Sequence, residues 1–339
     1  MSDFYTSTPD EQIGRLTALA QRALEEYDRA GSTIELIKAR ENAVFKVVDS
    51  HGVKTALRVH RAGYHSDAAL RSELQWMALL GRHGVLVPEV IPTVDEQLFC
   101  ILGDDEVGGA RQIDLFAWVE GEQLAAIEDT SDIDVDRLVQ SFSTVGEIAA
   151  KVHNHSDEWL PPEDFVRHKW DTDGFAGEVP FWGRFWDLEA LNPNQRELML
   201  RVRRTLRREL STLSRDSAQF GMIHADLVPE NVLVENGSVR LIDFDDAGFG
   251  WYMFEMATSL YFFYGEPYYI DIKNAYIEGY RRHRELTDED LSLLPLMLLA
   301  RSTTYLGWVH TRPGTETAIE MTPALIEMAC AVADDFFKS

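Results

Sequence analysis

The chain has 339 residues, of which 45% are hydrophobic and 11% aromatic, and a formal net charge of -25. This composition excludes a disordered chain and is long enough for two sizeable lobes sharing one cleft. The charge excludes nucleic acid and anionic membrane surfaces as partners, whose phosphates it would repel; it favours a cationic ligand, although acidic composition is also common in soluble proteins.

In chain order, residues 10–27 carry apolar side chains at helical spacing, with Thr8 or Asp10 as the cap. The period then changes to two, predicting strands over 33–38, 43–49 and 54–60, with a turn around Ser50-His51-Gly52. A helix over 65–80 follows, then strands over 98–102 and 112–119. Beyond these the pattern is mostly helical: 135–153, 194–213, 253–264, 270–282, 289–309 and 323–337. A strand pair over 232–235 and 239–242 interrupts it, turned by Asn236-Gly237. A sheet-rich first third before a helix-rich remainder is an α+β arrangement, with a boundary near Glu120-Gly121 dividing residues 1–119 from 120–339. Cys100 and Cys330, both in apolar surroundings, read as core thiols in a reducing compartment. The N-terminus lacks a basic region followed by an apolar run, and the most apolar stretch, 251–264, is short and contains Glu255. The expected location is cytoplasmic.

The chemistry concentrates in Ile223-His224-Ala225-Asp226-Leu227-Val228-Pro229-Glu230-Asn231 and Leu241-Ile242-Asp243-Phe244-Asp245. The pattern is His-x-Asp-x-x-x-x-Asn, a hairpin, then Asp-Phe-Asp. Phosphoryl transfer from ATP needs a carboxylate to orient or deprotonate an acceptor hydroxyl and hard oxygen ligands to hold Mg2+ against the phosphates. Asp226 suits the first task, and Asn231 and Asp243 the second.

This set resembles the aminoglycoside phosphotransferase and choline kinase family, a branch of the protein-kinase-like fold, and most of all its subset containing homoserine kinase type II and the bacterial stress-response kinase. The resemblance runs from about Ile34 to the C-terminal helices and is most specific over His224 to Asp245. It implies a two-lobed fold, with a small β-rich nucleotide-binding N-lobe and a larger helical C-lobe carrying catalysis and the acceptor. ATP would lie between the lobes, and His224 would order the catalytic loop rather than react. Ala56-Leu57-Arg58 resembles the third-strand Ala-x-Lys of kinases, which implies Ala56 against adenine and Arg58 over the phosphates. Arg replaces Lys here, with Lys46 and Lys54 as alternative cations. Glu73, a carboxylate on the apolar stripe Leu70, Met77 and Leu80, needs a partner if buried, and Arg58 is the natural one. Asn42, in the glycine-free loop Arg40-Glu41-Asn42, is either a phosphate contact or part of a plain turn. The hinge that meets adenine is expected within Phe116 to Val119.

Asp245 and Asp246 either support the metal or cap the next loop. Glu255 either stands in for the Asp by which the family braces the catalytic loop or only starts a helix. Arg301, Tyr305, Trp308 and Arg312 fall on one helix face, either lining the acceptor pocket or packing arginine stems on aromatic rings. For Phe181, Trp182, Phe185 and Trp186 packing is favoured over a role in the cleft, and His153-Asn154-His155 reads as capping and packing, not as a metal site. The expectation is an ATP- and Mg2+-dependent kinase whose acceptor is a hydroxylated small molecule. A Ser/Thr protein kinase and a silent nucleotide-binding pseudokinase are the alternatives.

Overall fold

Strict alternation places the first strands. In β2 (Ala43–Val48), Ala43, Phe45 and Val47 are buried while the residues between them are only partly so, as a strand with one face on a core requires. β2 lies between β1 (Thr33–Ala39) and β3 (Lys54–Val59), antiparallel to both. β3 pairs with β6 (Arg111–Ala117), to which the short strands β4 (Val90–Ile91) and β5 (Cys100–Leu102) also add. Helix α1 (Pro9–Ala23), opened by a Thr8–Glu11 capping box, covers one face of this sheet. There Leu19, Ala23 and Leu24 pack with Phe45, Leu57, Val59, Ile113 and Leu115. Arg58, Asp114 and Phe116 have the opposite parity and belong to the other face. Helix α2 (Asp67–Arg82) is capped by Ser66, and β7 is Glu122–Gln123.

This computed structural model describes residues 3–39, 42–124, 134–235 and 238–338. It falls into two units, Met1–Glu122 with Pro162–Val166 and Leu233–Ile242, and Gln123–Pro161 with Arg167–Val232 and Asp243–Ser339. Arg40 and Glu41 of the anticipated loop, and the Asn236-Gly237 turn between β10 (Val232–Glu235) and β11 (Ser238–Leu241), lie outside the described residues.

The second unit is built on α3 (Val135–Glu158), α4 (Thr172–Ala176), α5 (Pro193–Leu210), α6 (Tyr252–Leu260), α7 (Tyr269–Arg281), α8 (Asp288–Ser292), α9 (Leu294–His310) and α10 (Glu316–Lys338). α3 and α7 approach so closely that a Cβ on Gly146 would sit 2.1 Å from the Tyr276 carbonyl oxygen, and one on Gly279 1.9 Å from that of Ser143. Only glycine fits such a contact. Every residue of α6 is buried, so its polar side chains must find partners inside the unit. A small sheet of β8 (Lys169–Trp170), β12 (Gly248–Trp251) and β9 (Phe220–Ile223) completes it. β8 and β12 are absent from the sequence expectation because they are short and, in β12, glycine-rich.

Several boundaries differ from expectation. The helix over 289–309 is two helices, α8 and α9, broken at Leu293: Pro295, in the first turn of α9, has no N–H to continue an earlier helix. The last helix begins at Glu316 and carries Pro323 inside it, although that proline was read as its start. α3 runs on to Glu158, and the strand expected to reach Val119 stops at Ala117. Cys100 and Cys330 are half-buried. Among the described residues no helix is long and apolar enough to cross a membrane.

Candidate active site

In the first unit the polar face of the sheet holds a buried ion network. Arg58 on β3 stands directly opposite Asp114 on β6. Its guanidinium donates to both Asp114 oxygens, at 2.7 and 3.1 Å, and to Glu73 Oε1 at 2.8 Å. His60 Nε2 lies 3.0 Å from Asp114 Oδ2. Arg58 also sits 5.2 Å from the Phe116 ring centre. Glu73 comes from α2 and is fully buried, so the carboxylate on an apolar stripe does meet the cation on the preceding strand. Asp114 was missed, although a lone acid within Ile113-Asp114-Leu115 carries the same signal. The alternative cations are engaged elsewhere: Lys54 pairs with Glu120, and Lys46 lies over the Trp118 ring. Asn42 is buried and accepts the Arg61 backbone N–H through Oδ1 at 3.3 Å. Ala56 pairs with Phe116 across the strands, whereas Val119 lies beyond the end of β6.

Burial alone would raise the Asp114 pKa, but Arg58 and His60 beside it pull the carboxyl down to about 2. A folded-state value below the unfolded one means that the stabilisation is complete above the unfolded pKa of 3.8 and is lost as the pH falls through about 2. The shift corresponds to about 2 kcal/mol. Asp114→Asn should therefore lower the thermal midpoint at neutral pH, and the gap from wild type should close progressively in melts taken between about pH 4 and pH 2.

In the second unit the segment from β9 to Asn231 is held from behind by α6. Glu255 is fully buried. Its Oε1 accepts the His224 N–H and its Oε2 the Ala225 N–H, both at 2.7 Å. Its longer side chain thus braces the loop backbone. Ser259, one turn on, donates to the Leu227 carbonyl. Burial raises the Glu255 pKa while the loop contacts oppose that rise. Ala225 is held at φ 62°, a left-handed conformation costly for a residue with a Cβ and concentrated at functional sites. Asp226 follows immediately. Asn231 Nδ2 donates at 2.8 Å to both the carbonyl oxygen and the Oδ2 of Asp226. His224 is buried, accepts the Asp226 N–H at Nδ1 and packs 4.6 Å from the Phe244 ring centre. It thus touches both the loop and the Asp-Phe-Asp segment.

Asp243 is exposed and has a φ of 66°, the second strained position of the site. The residues after it are strapped by side chains that sequence reasoning missed. Arg167 donates to the carbonyl oxygens of Asp245 and Ala247, at 2.6 and 2.5 Å. Trp170 Nε1 donates to the Asp246 carbonyl at 2.9 Å, and Trp182 Nε1 to Asp246 Oδ1 at 3.2 Å. Because Arg167 and Trp170 act on backbone carbonyls, no side-chain pattern announces them. The Asp246 carboxyl is held well above the usual range, first by burial and then by the neighbouring Asp226, Asp245 and Asp243 carboxylates. Four acids therefore share one electrostatic neighbourhood, a set of hard oxygens whose chemistry fits a divalent cation.

The anticipated helix face divides. Arg301 is fully buried and donates to Asp226 Oδ1 at 3.1 Å and to the Ala225 carbonyl at 3.2 Å. Tyr305 is half-buried; its hydroxyl accepts from Arg301 and its ring lies 5.7 Å from Trp182. Arg312 lies beyond the end of α9, so it is not on the helix face. It packs 4.7 Å from the Trp308 ring centre and donates to that residue's carbonyl. Of the aromatic cluster, Phe185 and Trp186 are core, while Trp182 reaches Asp246 and Arg301. His153 is buried inside α3, not at its end, and meets the Tyr280 hydroxyl at 2.8 Å.

Known proteins share this fold. Residues 33–286 match the family described as Phosphotransferase enzyme family (APH). The structure of the microcompartment-associated aminopropanol kinase is 30% identical, matches 95% of this chain and 98% of that one, and superposes with a TM-score of 0.83. The amicoumacin kinase of Bacillus subtilis (strain 168) is 22% identical, over 85% of this chain and 83% of its own. Amicoumacin kinase hAmiN, solved in complex with AMP-PNP, Ca2+ and Ami, has the same fold at 20% identity and a TM-score of 0.75, covering 97% of this chain and 96% of that one. The chain thus belongs to the phosphotransferase enzyme family and is an α+β kinase of the protein-kinase-like fold.

Proposed function

We propose that the protein moves the γ-phosphoryl group of ATP, with Mg2+, to the hydroxyl of a small amino alcohol. The observation that carries this reading is the Asp226 carboxylate, bonded to Asn231 and set on a loop braced by a fully buried Glu255. In the transfer the acceptor oxygen bonds to the γ-phosphorus, the bond from that phosphorus to the ADP oxygen breaks, and the hydroxyl proton passes toward Asp226. Asp226 aligns the attacking hydroxyl. Arg58, kept rigid by Glu73 and Asp114, supplies positive charge for the phosphates, and Ala56, Asn42 and the 116–119 segment hold the nucleotide. Asn231 commits its amide nitrogen to Asp226, which supports the reading that its oxygen, with Asp243, would hold the metal. When bound, Mg2+ neutralises charge on the phosphates.

The acceptor class is supported by the 30% identity to the aminopropanol kinase structure and by the net charge of -25, which suits a cationic amine. Asp246, whose carboxyl accepts the indole N–H of Trp182, is the acid an ammonium would meet. Only a few residues separate Asp243 from α6, and four of them are paired as β12. That leaves no long segment for regulating or docking a protein substrate. Incubation with ATP, Mg2+ and 1-amino-2-propanol, in parallel with homoserine, choline and a Ser/Thr peptide, should give a phosphoester signal by 31P NMR with the amino alcohol. Transfer to the peptide alone would defeat the acceptor assignment.

A further inference from the structure

We infer that Arg301 is a positioning residue that fixes the rotation of the Asp226 carboxylate and the strained peptide before it. The inference rests on the reading of Asp226 as the residue that aligns the acceptor hydroxyl.

An aspartate carboxylate turns freely about its last bond unless both oxygens are held, because that rotation has only broad, shallow minima. Here both are held, by different elements. Oδ2 accepts from Asn231 at 2.8 Å, a local contact within the loop. Oδ1 accepts from Arg301 Nη2 at 3.1 Å, and Arg301 comes from the middle of α9. The same guanidinium sends Nη1 to the Ala225 carbonyl at 3.2 Å. Ala225 is the residue at φ 62°, and its N–H is already taken by Glu255. Two buried helices therefore grip this left-handed residue from its two polar ends, α6 by the N–H and α9 by the carbonyl.

Arginine has the shape for this task. Its planar fork reaches two acceptors at a fixed angle, whereas a lysine ammonium serves as a point charge. The guanidinium is itself aimed by aromatic rings: its carbon lies 4.4 Å from the Tyr305 centroid, 5.3 Å from that of Trp182 and 5.8 Å from that of Phe254. Arg301 has no exposed surface. Burying a cation is costly unless it is paired and hydrogen-bonded, so a residue that served packing alone would do better as an apolar side chain of similar volume. Its pairing is with the one carboxylate whose orientation the transfer depends on.

The test uses the intact protein as wild type, Arg301→Lys, Arg301→Met and Arg301→Ala, each checked by thermal melting. Turnover is measured with 1-amino-2-propanol and, separately, as acceptor-free ATP hydrolysis. The expected result is a fall in kcat of about 10²-fold for Arg301→Met, the size of effect that misplacing a reacting group produces. Arg301→Lys should be impaired too, because it cannot grip both acceptors. KM for ATP should stay within about twofold in both, since no nucleotide contact is touched. Adding non-denaturing guanidinium chloride to Arg301→Ala should recover part of kcat, where equal NaCl does not. A folded Arg301→Lys with wild-type kcat would overturn the inference and leave the kinase reading intact. If the wild type hydrolyses ATP but ignores the amino alcohol, the acceptor assignment fails and the same comparison is read on hydrolysis. A wild type silent in both assays overturns the proposed transfer from ATP to an amino alcohol and this inference with it.

Discussion

Asp226→Asn is expected to keep ATP binding near the wild-type level while phosphate transfer slows by about 10³-fold, within the range lost with a general base. The amide has the shape of the carboxylate but only one acceptor oxygen. The structure asks for two, one for Asn231 Nδ2 and one for Arg301 Nη2. The variant therefore leaves one donor unmatched, at a cost of about 1–3 kcal/mol. Removing a negative charge beside Asp243, Asp245 and Asp246 offsets part of that cost, so only a modest change in melting is expected. A coupled ADP-release assay gives kcat, and calorimetry gives ATP affinity. Because the loss should fall on kcat and not on binding, it marks an interaction realised in the transition state. Equal kcat in the two proteins would remove Asp226 from the mechanism.

The residues divide by how each acts. In the candidate site, His224, Asp226, Asn231 and Asp243 are legible in the sequence because the proposed chemistry would need those side-chain types in that order, and spacing carries order. Glu73 was legible for a different reason: a charge on an apolar stripe must be paired. The same reasoning applied to strand 111–117 would have found Asp114. Glu255 was noticed but not placed, since its length decides which N–H groups it reaches and only the fold shows that. Arg167 and Trp170 act on backbone carbonyls and leave no trace in side-chain pattern. For Arg301 the sequence leaves open whether it lines the acceptor pocket or packs on aromatic rings, because helical spacing gives a face but not what covers it. Its grip on Ala225 and Asp226 depends on the crossing of α9 with a loop some seventy-five residues earlier. The positive φ at Ala225 and Asp243 is invisible in principle, as neither is glycine. The break before α9 is legible at Pro295, whereas Arg312 leaves the face at the other end, because α9 stops at His310 and the helical spacing does not carry on to it.

Arg58→Met should be the most damaging single change in the first unit, and its two effects can be separated. Glu73 and Asp114 are both fully buried, and each takes a hydrogen bond from the same guanidinium nitrogen, at 2.8 and 2.7 Å. Deleting the cation leaves two carboxylates in a medium that solvates them poorly, with His60 still 3.0 Å from Asp114. Removing one partner from a buried pair costs about 3–5 kcal/mol, mostly because the other charge is stranded. Urea melts should show that loss directly. Adding Glu73→Gln and Asp114→Asn to the same chain should return much of it, because neutral amides are cheaper to bury than lone anions. ATP affinity should not return, since no cation has been restored to that face of β3. A triple variant that binds ATP like the wild type would mean that Arg58 serves only its own carboxylates. An Arg58→Met protein with an unchanged urea midpoint would mean that the carboxylates do not need it. The expected outcome, stability regained without affinity, assigns Arg58 to both tasks and gives a reason for arginine at this position: its fork can meet two carboxylates, where a lysine ammonium is a single point charge.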